Sequence, residues 1–232
     1  GRAHPAAVVC SQEHGFGFVH RLDVPSSGLV LQATSYEGFH DLCIQRELGQ
    51  VQREYVGLCH GWIQKNRRVT ARIRKRRGGS SQPCVHGRPA ETRLKVLAHL
   101  QHRASPVSLL VISIITGRTH QIRCHMQYIG HPIVSDSRYG SRRDAAWCKR
   151  QFLHRHRVAF SDLDGIPHDA AEPLPRDLRA VLGELAVVRG EGAVAAWLAA
   201  AGAERRPWAE WSGLAGEEEE EEVVEPLELE WV

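Results

Sequence analysis

Short stretches rich in Val, Ile and Leu recur along the chain, separated by clusters of Gly, Ser and Pro, which is the pattern of strands and turns. Residues 28–33 (GLVLQA), 53–60 (REYVGLCH), 91–100, 106–115 and 152–160 read as strands, the third and fourth joined by a polar turn. Within the basic stretch 65–77, Val69, Ala71 and Ile73 alternate with polar residues and predict a half-buried strand with a basic outer face. The helical period is rarer. Phe39, Leu42, Cys43 and Leu48 give 36–48 a helical spacing, with Gly49 to end it. Residues 118–129 read as a helix closed by Gly130 and Pro132, 173–178 as a turn into a helix over 179–188, and 193–203 as an Ala-rich helix. Strands with a few helices and no sustained βαβ rhythm predict an α+β fold with a mixed, largely antiparallel sheet.

Composition adds a division of the chain. Residues 1–190 read as one domain and 191–232 as an extension that ends in acid, with a solvated, disordered run expected over 217–222. The formal net charge of +3 hides this asymmetry. Nine acidic and no basic residues lie from 217 onward, which leaves 30 basic against 18 acidic residues, a net +12, for 1–216. Such a surface suits a polyanion, although a merely soluble basic face has the same charge. No apolar run approaches the ~20 residues of a membrane helix, so no membrane partner is expected. Six cysteines without a CxxC pair read as reduced thiols of an intracellular protein. The chain opens on Gly1 without Met or a basic-then-apolar leader, which fits a fragment and leaves cytoplasm, nucleus, mitochondrion and chloroplast open.

Two polar blocks carry the candidate chemistry. The first, 20–31 (HRLDVPSSGLVL), sets Asp23 near Arg21 and just before a Ser-Ser-Gly turn, where a carboxylate can approach a substrate closely; an Asp that caps a turn is the ordinary alternative. The second, 116–140 (TGRTHQIRCHMQYIGHPIVSDSRYG), supplies Arg118, His120 and Arg123. On a helix 120 and 123 share a face and 118 and 123 do not; one of these cations can pair with Asp23, or all can be a solvated face. Tyr55, in an apolar strand, can stack on a base or take part in proton transfer, or be plain core. Lys65, Arg67, Arg68, Arg72 and Arg74 belong to a run of eight Lys or Arg in the thirteen residues 65–77, suited to phosphate contacts or to a localisation patch. His120 and His125 are five apart, and His154-x-His156 lacks a nearby Cys or acid in sequence, so no metal is expected. GxSxG, P-loop and GxGxxG patterns are absent, which leaves hydrolase, NTPase and dinucleotide readings without support.

Taken in order, these segments resemble the RluA-type pseudouridine synthases. HRLDVPSSGLVL resembles the family's HRLD-x-x-T-S-G-L motif, with Ser26 for Thr; REYVGLCHG its K-x-Y-hydrophobic segment, with Arg53 for Lys; and GRPAET (87–92) its G-K-P-A-x-T strand, with Arg88 for Lys. The block from Thr116 matches TGR-T/S-HQ-I/L-R-x-H…GHPI…D…Y; FLHRHRVAF resembles the later L-H-A segment and PLPRDL the closing P-x-D-L turn. The resemblance covers about 14–180. It implies the pseudouridine synthase catalytic fold and the isomerisation of uridine in RNA without cofactor or metal. Asp23 takes the place of the catalytic aspartate, Tyr55 of the tyrosine credited with base stacking and proton abstraction, Arg123 of the arginine that pairs with the aspartate, and Arg21 of the one beside it. Arg118, His120 and the basic run at Lys65, Arg67, Arg68, Arg72 and Arg74 are expected to bind RNA. The family's Asn-Lys-Pro-x-Gly strand and turn is not found before His20, so a sheet edge is expected to be exposed. An active synthase acting as a monomer on rRNA, tRNA or mRNA is the first reading; a non-catalytic RNA-binding or remodelling protein on the same fold is the second, and a metal-dependent nuclease a distant third.

Overall fold

A computed structural model of the chain describes residues 8–140, 147–199, 205–214 and 222–224. A short strand β1 (Ser27–Gly28) leads to helix α1 (Tyr36–Glu47), which starts on Ser35, whose hydroxyl accepts from Gly38 N. Strands β2 (Gln52–His60), β3 (Arg67–Val69), β4 (Ile73–Lys75), β5 (Ser81–Pro83), β6 (Thr92–His102) and β7 (Ser105–Ile114) precede α2 (Gln121–Tyr128). Then come β8 (Leu153–Ser161), β9 (Pro167–Ala171), α3 (Arg176–Gly183), β10 (Ala186–Arg189), α4 (Glu191–Leu198) and β11 (Glu222–Val224). The main sheet runs β1-β8-β2-β7-β6-β3-β11, with β9 also on β8 and β10 also on β6. Only β1–β8 and β3–β11 are parallel, so the sheet is mixed and largely antiparallel, as the strand pattern predicts. β4 and β5 form a separate hairpin.

Side-chain parity sorts the core onto two faces. In β2, Val56 and Leu58 face one side while Tyr55 and Cys59 face the other; in β7, Val107, Leu109 and Val111 oppose Leu110, Ile112 and Ile114. β6 carries one extra residue at Leu97, where Val96 pairs Leu110 and Ala98 pairs Leu109, and this bulge keeps both halves of the strand in phase with β7. The first face is covered by Leu178 and Leu182 of α3, Val194 and Trp197 of α4, and Trp211, which stacks on Trp197. The packing therefore crosses residue 190. The second face is covered by Ile122 and Met126 of α2, and the candidate site opens on this side.

Several elements differ from expectation. The basic stretch 65–77 keeps its alternation, with Val69, Ala71 and Ile73 all buried, but is split. Val69 ends a strand on β6, whereas Ile73 exchanges hydrogen bonds with Arg88 and begins the β4–β5 hairpin. Of the strand expected at 28–33 only Gly28 pairs regularly, together with Ser27 before it, and an isolated Phe18–Gln32 bridge follows. Gly28 is required there: at φ +115, a Cβ would sit 2.2 Å from the Arg155 carbonyl oxygen. The helix placed at 179–188 forms earlier, at Arg176–Gly183, and Val187 and Val188 extend as β10. The Ala-rich helix runs from Glu191 to Leu198, and 200–203 lie outside the described residues. So does the acidic run, except for Glu222, which begins β11. β8 is paired on one side by β2 and on the other by β1 and β9. No helix among the described residues is long and apolar enough to cross a membrane.

Candidate active site

The block 116–121 shapes itself before it shapes a site. The Gln121 carboxamide oxygen accepts from the Thr116 hydroxyl and Arg118 N, while its NH₂ donates to Glu91 O and the Thr92 hydroxyl. The Thr116 hydroxyl in turn accepts from Glu91 N. This cross-bracing keeps 116–120 as a turn, so α2 begins at Gln121 rather than at 118, and His120 sits in the left-handed region at φ 54. The argument that 120 and 123 share a helical face therefore does not apply. They converge all the same, on Asp23.

Arg123 Nη1 donates to Asp23 Oδ2 at 3.2 Å, and His120 Nε2 lies 4.0 Å from Asp23 Oδ1. Arg123 is itself clamped from behind. Its Nε and Nη2 donate to Asp136 Oδ2 and Oδ1 at 2.7 and 2.8 Å, a planar fork-to-fork pair. Asp136 also accepts from Arg138 N and Tyr139 N. Burial works to raise the Asp136 carboxyl, but Arg123 and these amides outweigh it and hold it below the usual carboxylate range. Tyr139 closes the bracket: its ring lies under the Arg123 guanidinium, 5.2 Å from the centroid, and its oxygen is 3.1 Å from His120 Nδ1. Burial, against the raising field of Asp23, lowers His120 below the usual histidine range.

A cleft of about 860 Å³ opens beside this pair. It is lined by Asp23, Tyr55, Arg21, Arg118, His120 and Arg123 among the predicted residues, and also by Arg46, Arg53, Arg88 and Arg155. Lys65, Arg67, Arg68, Arg72 and Arg74 do not line it. Arg68 is held bidentately by Glu91, and Arg72 Nε donates to Gly87 O. The hairpin that carries Arg74 is tied to the 116–120 turn through Ser81, whose hydroxyl donates to Thr119 O. Gly117 admits Arg53: a Cβ there would meet Arg53 Nη1 at 2.8 Å.

The cleft floor comes from the β2–β8 register, which places Glu54 beside Arg157 and Tyr55 beside Arg155. Arg157 pairs with Glu54 and Asp169. Arg155, 3 % exposed, donates through Nε to the Tyr55 oxygen at 2.8 Å and again through Nη2. Its Nη1 reaches His20 Nδ1 at 2.6 Å and Leu29 O at 3.0 Å. Burial, with Arg155, Arg53 and Arg46 around it, takes His20 down to about 3. Burial takes Arg53 to about 10. Sequence reasoning gave no role to Asp136, Arg155 or His20. Asp136 had a signal, being the one acid in a block that carries three arginines. Among the described residues no group of three or more His, Cys, Asp or Glu is placed to hold a metal ion.

The buried imidazoles carry a prediction. His125, between the Thr92 hydroxyl and Ala71 O, is taken by burial down to about 4. His20, His120 and His154 are lowered too, while Glu54, raised by burial, works the other way. Unfolded imidazoles protonate near pH 6.5 and these folded ones below it, so the unfolded state binds more protons as the pH falls. Their contribution is complete above about pH 6.5 and declines from there toward pH 4. The urea midpoint should hold between pH 7.5 and about 6.5 and then drop toward pH 4.5; a flat profile would contradict this account.

The comparisons agree with this geometry. Residues 10–128 match the RNA pseudouridylate synthase family. Ribosomal large subunit pseudouridine synthase C of Vibrio vulnificus is 37% identical over 173 residues, which cover 72% of this chain and 51% of the relative. A Chloroflexus aurantiacus RNA pseudouridine synthase is 35% identical over 175 residues, 73% of this chain and 53% of its own. The chain thus spans about half the length of the curated relatives it matches. The solved structure of human RNA Pseudouridylate Synthase Domain Containing 1 superposes with a TM-score of 0.64 at 25% identity, covering 79% of this chain and 80% of that one. A basic cleft, an aspartate paired to a clamped arginine, a tyrosine on its floor and the match over 10–128 lead to one statement: this chain belongs to the RNA pseudouridylate synthase family.

Proposed function

We propose that this chain isomerises uridine to pseudouridine in RNA, with Asp23 as the catalytic carboxylate. The observation that carries the reading is Asp23 held by Arg123 at the wall of a cleft that has Tyr55 on its floor. In this reaction the C1′–N1 bond of a uridine breaks, the uracil turns, C5 bonds to C1′, C5 gives up its proton and N1 takes one up. A carboxylate at the sugar serves as nucleophile or as the counter-charge to a cationic sugar. Arg123 keeps one carboxylate oxygen occupied and so orients the other. The target nucleotide leaves its stack to enter the cleft, where arginines line the path. Relatives named for the large ribosomal subunit make ribosomal RNA the first substrate to try. We place the protein inside the cell as a monomer, in keeping with six free cysteines.

Tritium release from RNA labelled at C5 of uridine tests the activity, since that hydrogen leaves only when C5 joins the sugar. Release in proportion to pseudouridine formed is expected; RNA bound without release would refute the reading. We further assign Lys65, Arg67, Arg68, Arg72 and Arg74 to the RNA backbone outside the cleft. Lys65 and Arg74 are exposed, and replacing each with alanine should weaken binding for all sequences alike. The slope of log K against log salt should shrink by about 0.7–0.9 per charge removed. Salt titrations that superimpose on the unsubstituted chain would remove these residues from the interface.

A further inference from the structure

We infer that Arg155 is a positioning residue, which turns the Tyr55 hydroxyl into a fixed hydrogen-bond donor aimed at the departing uracil; this rests on the proposed isomerase activity. The L-H-A segment that 153–155 resembles has alanine where this chain has Arg155. The geometry is explicit. The Tyr55 oxygen accepts from both Nε and Nη2 of one guanidinium. A guanidinium has no acceptor, so Tyr55 cannot give its own proton back to Arg155. Among the described residues no acceptor takes that proton, and Tyr55 lines the cleft. The O–H bond is thus left for a ligand there.

The charge of Arg155 strengthens the case. Its other partners are His20 Nδ1 and the carbonyls of Leu29 and Arg21, all neutral, and no carboxylate pairs with it among the described residues. The cation therefore stays uncompensated behind the Tyr55 oxygen. When C1′–N1 breaks, its electron pair stays on the uracil and spreads onto the ring carbonyl oxygens, while positive charge grows on the sugar beside Asp23. The pair then forms C5–C1′, the C5 proton is lost to a base or to water, and N1 takes up a proton, so the product is an isomer of the substrate. Tyr55 donates a hydrogen bond to a carbonyl oxygen of the anionic base. The site thus has two poles: Asp23 for the sugar and Tyr55, backed by Arg155, for the base. A preformed donor on a developing anion lowers the barrier without needing to bind the ground state more tightly.

The test compares Arg155→Met, Arg155→Lys, Tyr55→Phe and the double variant Tyr55→Phe with Arg155→Met, by single-turnover tritium release and by RNA affinity. Arg155→Met should slow the step about 100-fold with affinity changed less than about 3-fold, and Arg155→Lys should recover most of the loss. Adding Arg155→Met to Tyr55→Phe should cost little more, because the arginine acts through the tyrosine. Losses that multiply in the double variant, or that fall on affinity alone, would overturn the inference. A second arm needs no turnover. In protein carrying [4-¹³C]tyrosine, the Tyr55 Cζ resonance, assigned by its disappearance in Tyr55→Phe, should move in Arg155→Lys, and an unmoved resonance would also overturn it. A wild-type chain that releases no tritium from any RNA offered would sink the proposed activity instead, and the resonance would still decide the role of Arg155.

Discussion

Replacing Asp136 with asparagine is expected to lower the unfolding free energy by about 3–5 kcal/mol, the usual cost of breaking a buried pair by removing one partner. The side chain is fully buried and serves four donors at once: two guanidinium nitrogens of Arg123 and the amides of Arg138 and Tyr139. Asparagine keeps the shape but cancels the charge, and it turns an NH₂ toward an arginine that can only donate. Arg123, 4 % exposed, then has a single anion left, Asp23. Its fork should swing onto both oxygens of that carboxylate and withdraw it from the substrate, so activity should fall with stability. The pH dependence follows from the same pair. The folded Asp136 carboxyl lies below its unfolded value, so its contribution is complete above about pH 3.9 and is lost as the pH falls below that toward the folded value. The variant should show a flatter stability profile in that acid range. Urea unfolding at pH 7 decides the matter: a loss under about 1 kcal/mol would mean that Arg123 is held by something else.

Asp136 also illustrates what a sequence conceals. Asp23, Tyr55 and Arg123 were named through short motifs that resemble the family's, and all three line one cleft. The clamp behind Arg123 left only a signal of composition, since its acid arrives thirteen residues later on a turn whose path depends on tertiary packing. The strand LHRHRVAF makes the same point from the other direction. Its order fits a strand, but His154, Arg155, His156 and Arg157 are all buried, against the habit of such residues. Each is admitted by a partner far off in sequence: His154 by Ser27, Arg155 by Tyr55 and His20, His156 by the Trp197 ring, Arg157 by Glu54 and Asp169. Two of those pairs are fixed by the register between β2 and β8, which shifts between Glu54 and Tyr55. A register shift leaves no mark in composition or periodicity. The start of α2 was misplaced for a related reason, because the Gln121 side chain takes over the hydrogen bonds that a longer helix would have used. The alternating apolar pattern did give the mixed, largely antiparallel sheet, since parity along a strand is local.

Asp23→Asn should abolish tritium release, a fall on the order of 10⁴-fold or more, as when a reacting group is removed from an enzyme whose other parts remain in place. Folding should be nearly untouched. Asp23 is partly exposed, with 19 % of its side-chain surface open, and Arg123 keeps its bidentate partner Asp136 when Asp23 is neutralised. This sets it apart from Asp136, whose loss should reduce both activity and stability. RNA affinity should hold or rise slightly, because removing a negative charge from a cleft lined with arginines lowers its repulsion toward phosphates. Asp23→Glu separates charge from placement. The added methylene moves the carboxylate toward Arg123 and His120, so the charge survives while the reach toward the sugar changes. A loss as deep as that of Asp23→Asn would show that position governs the step, whereas near-normal release would assign Asp23 to bulk electrostatics alone. Should Asp23→Asn retain release within about 10-fold of the unsubstituted chain, the catalytic carboxylate would have to be another acid of the cleft, and Glu47 is the remaining carboxylate that lines it.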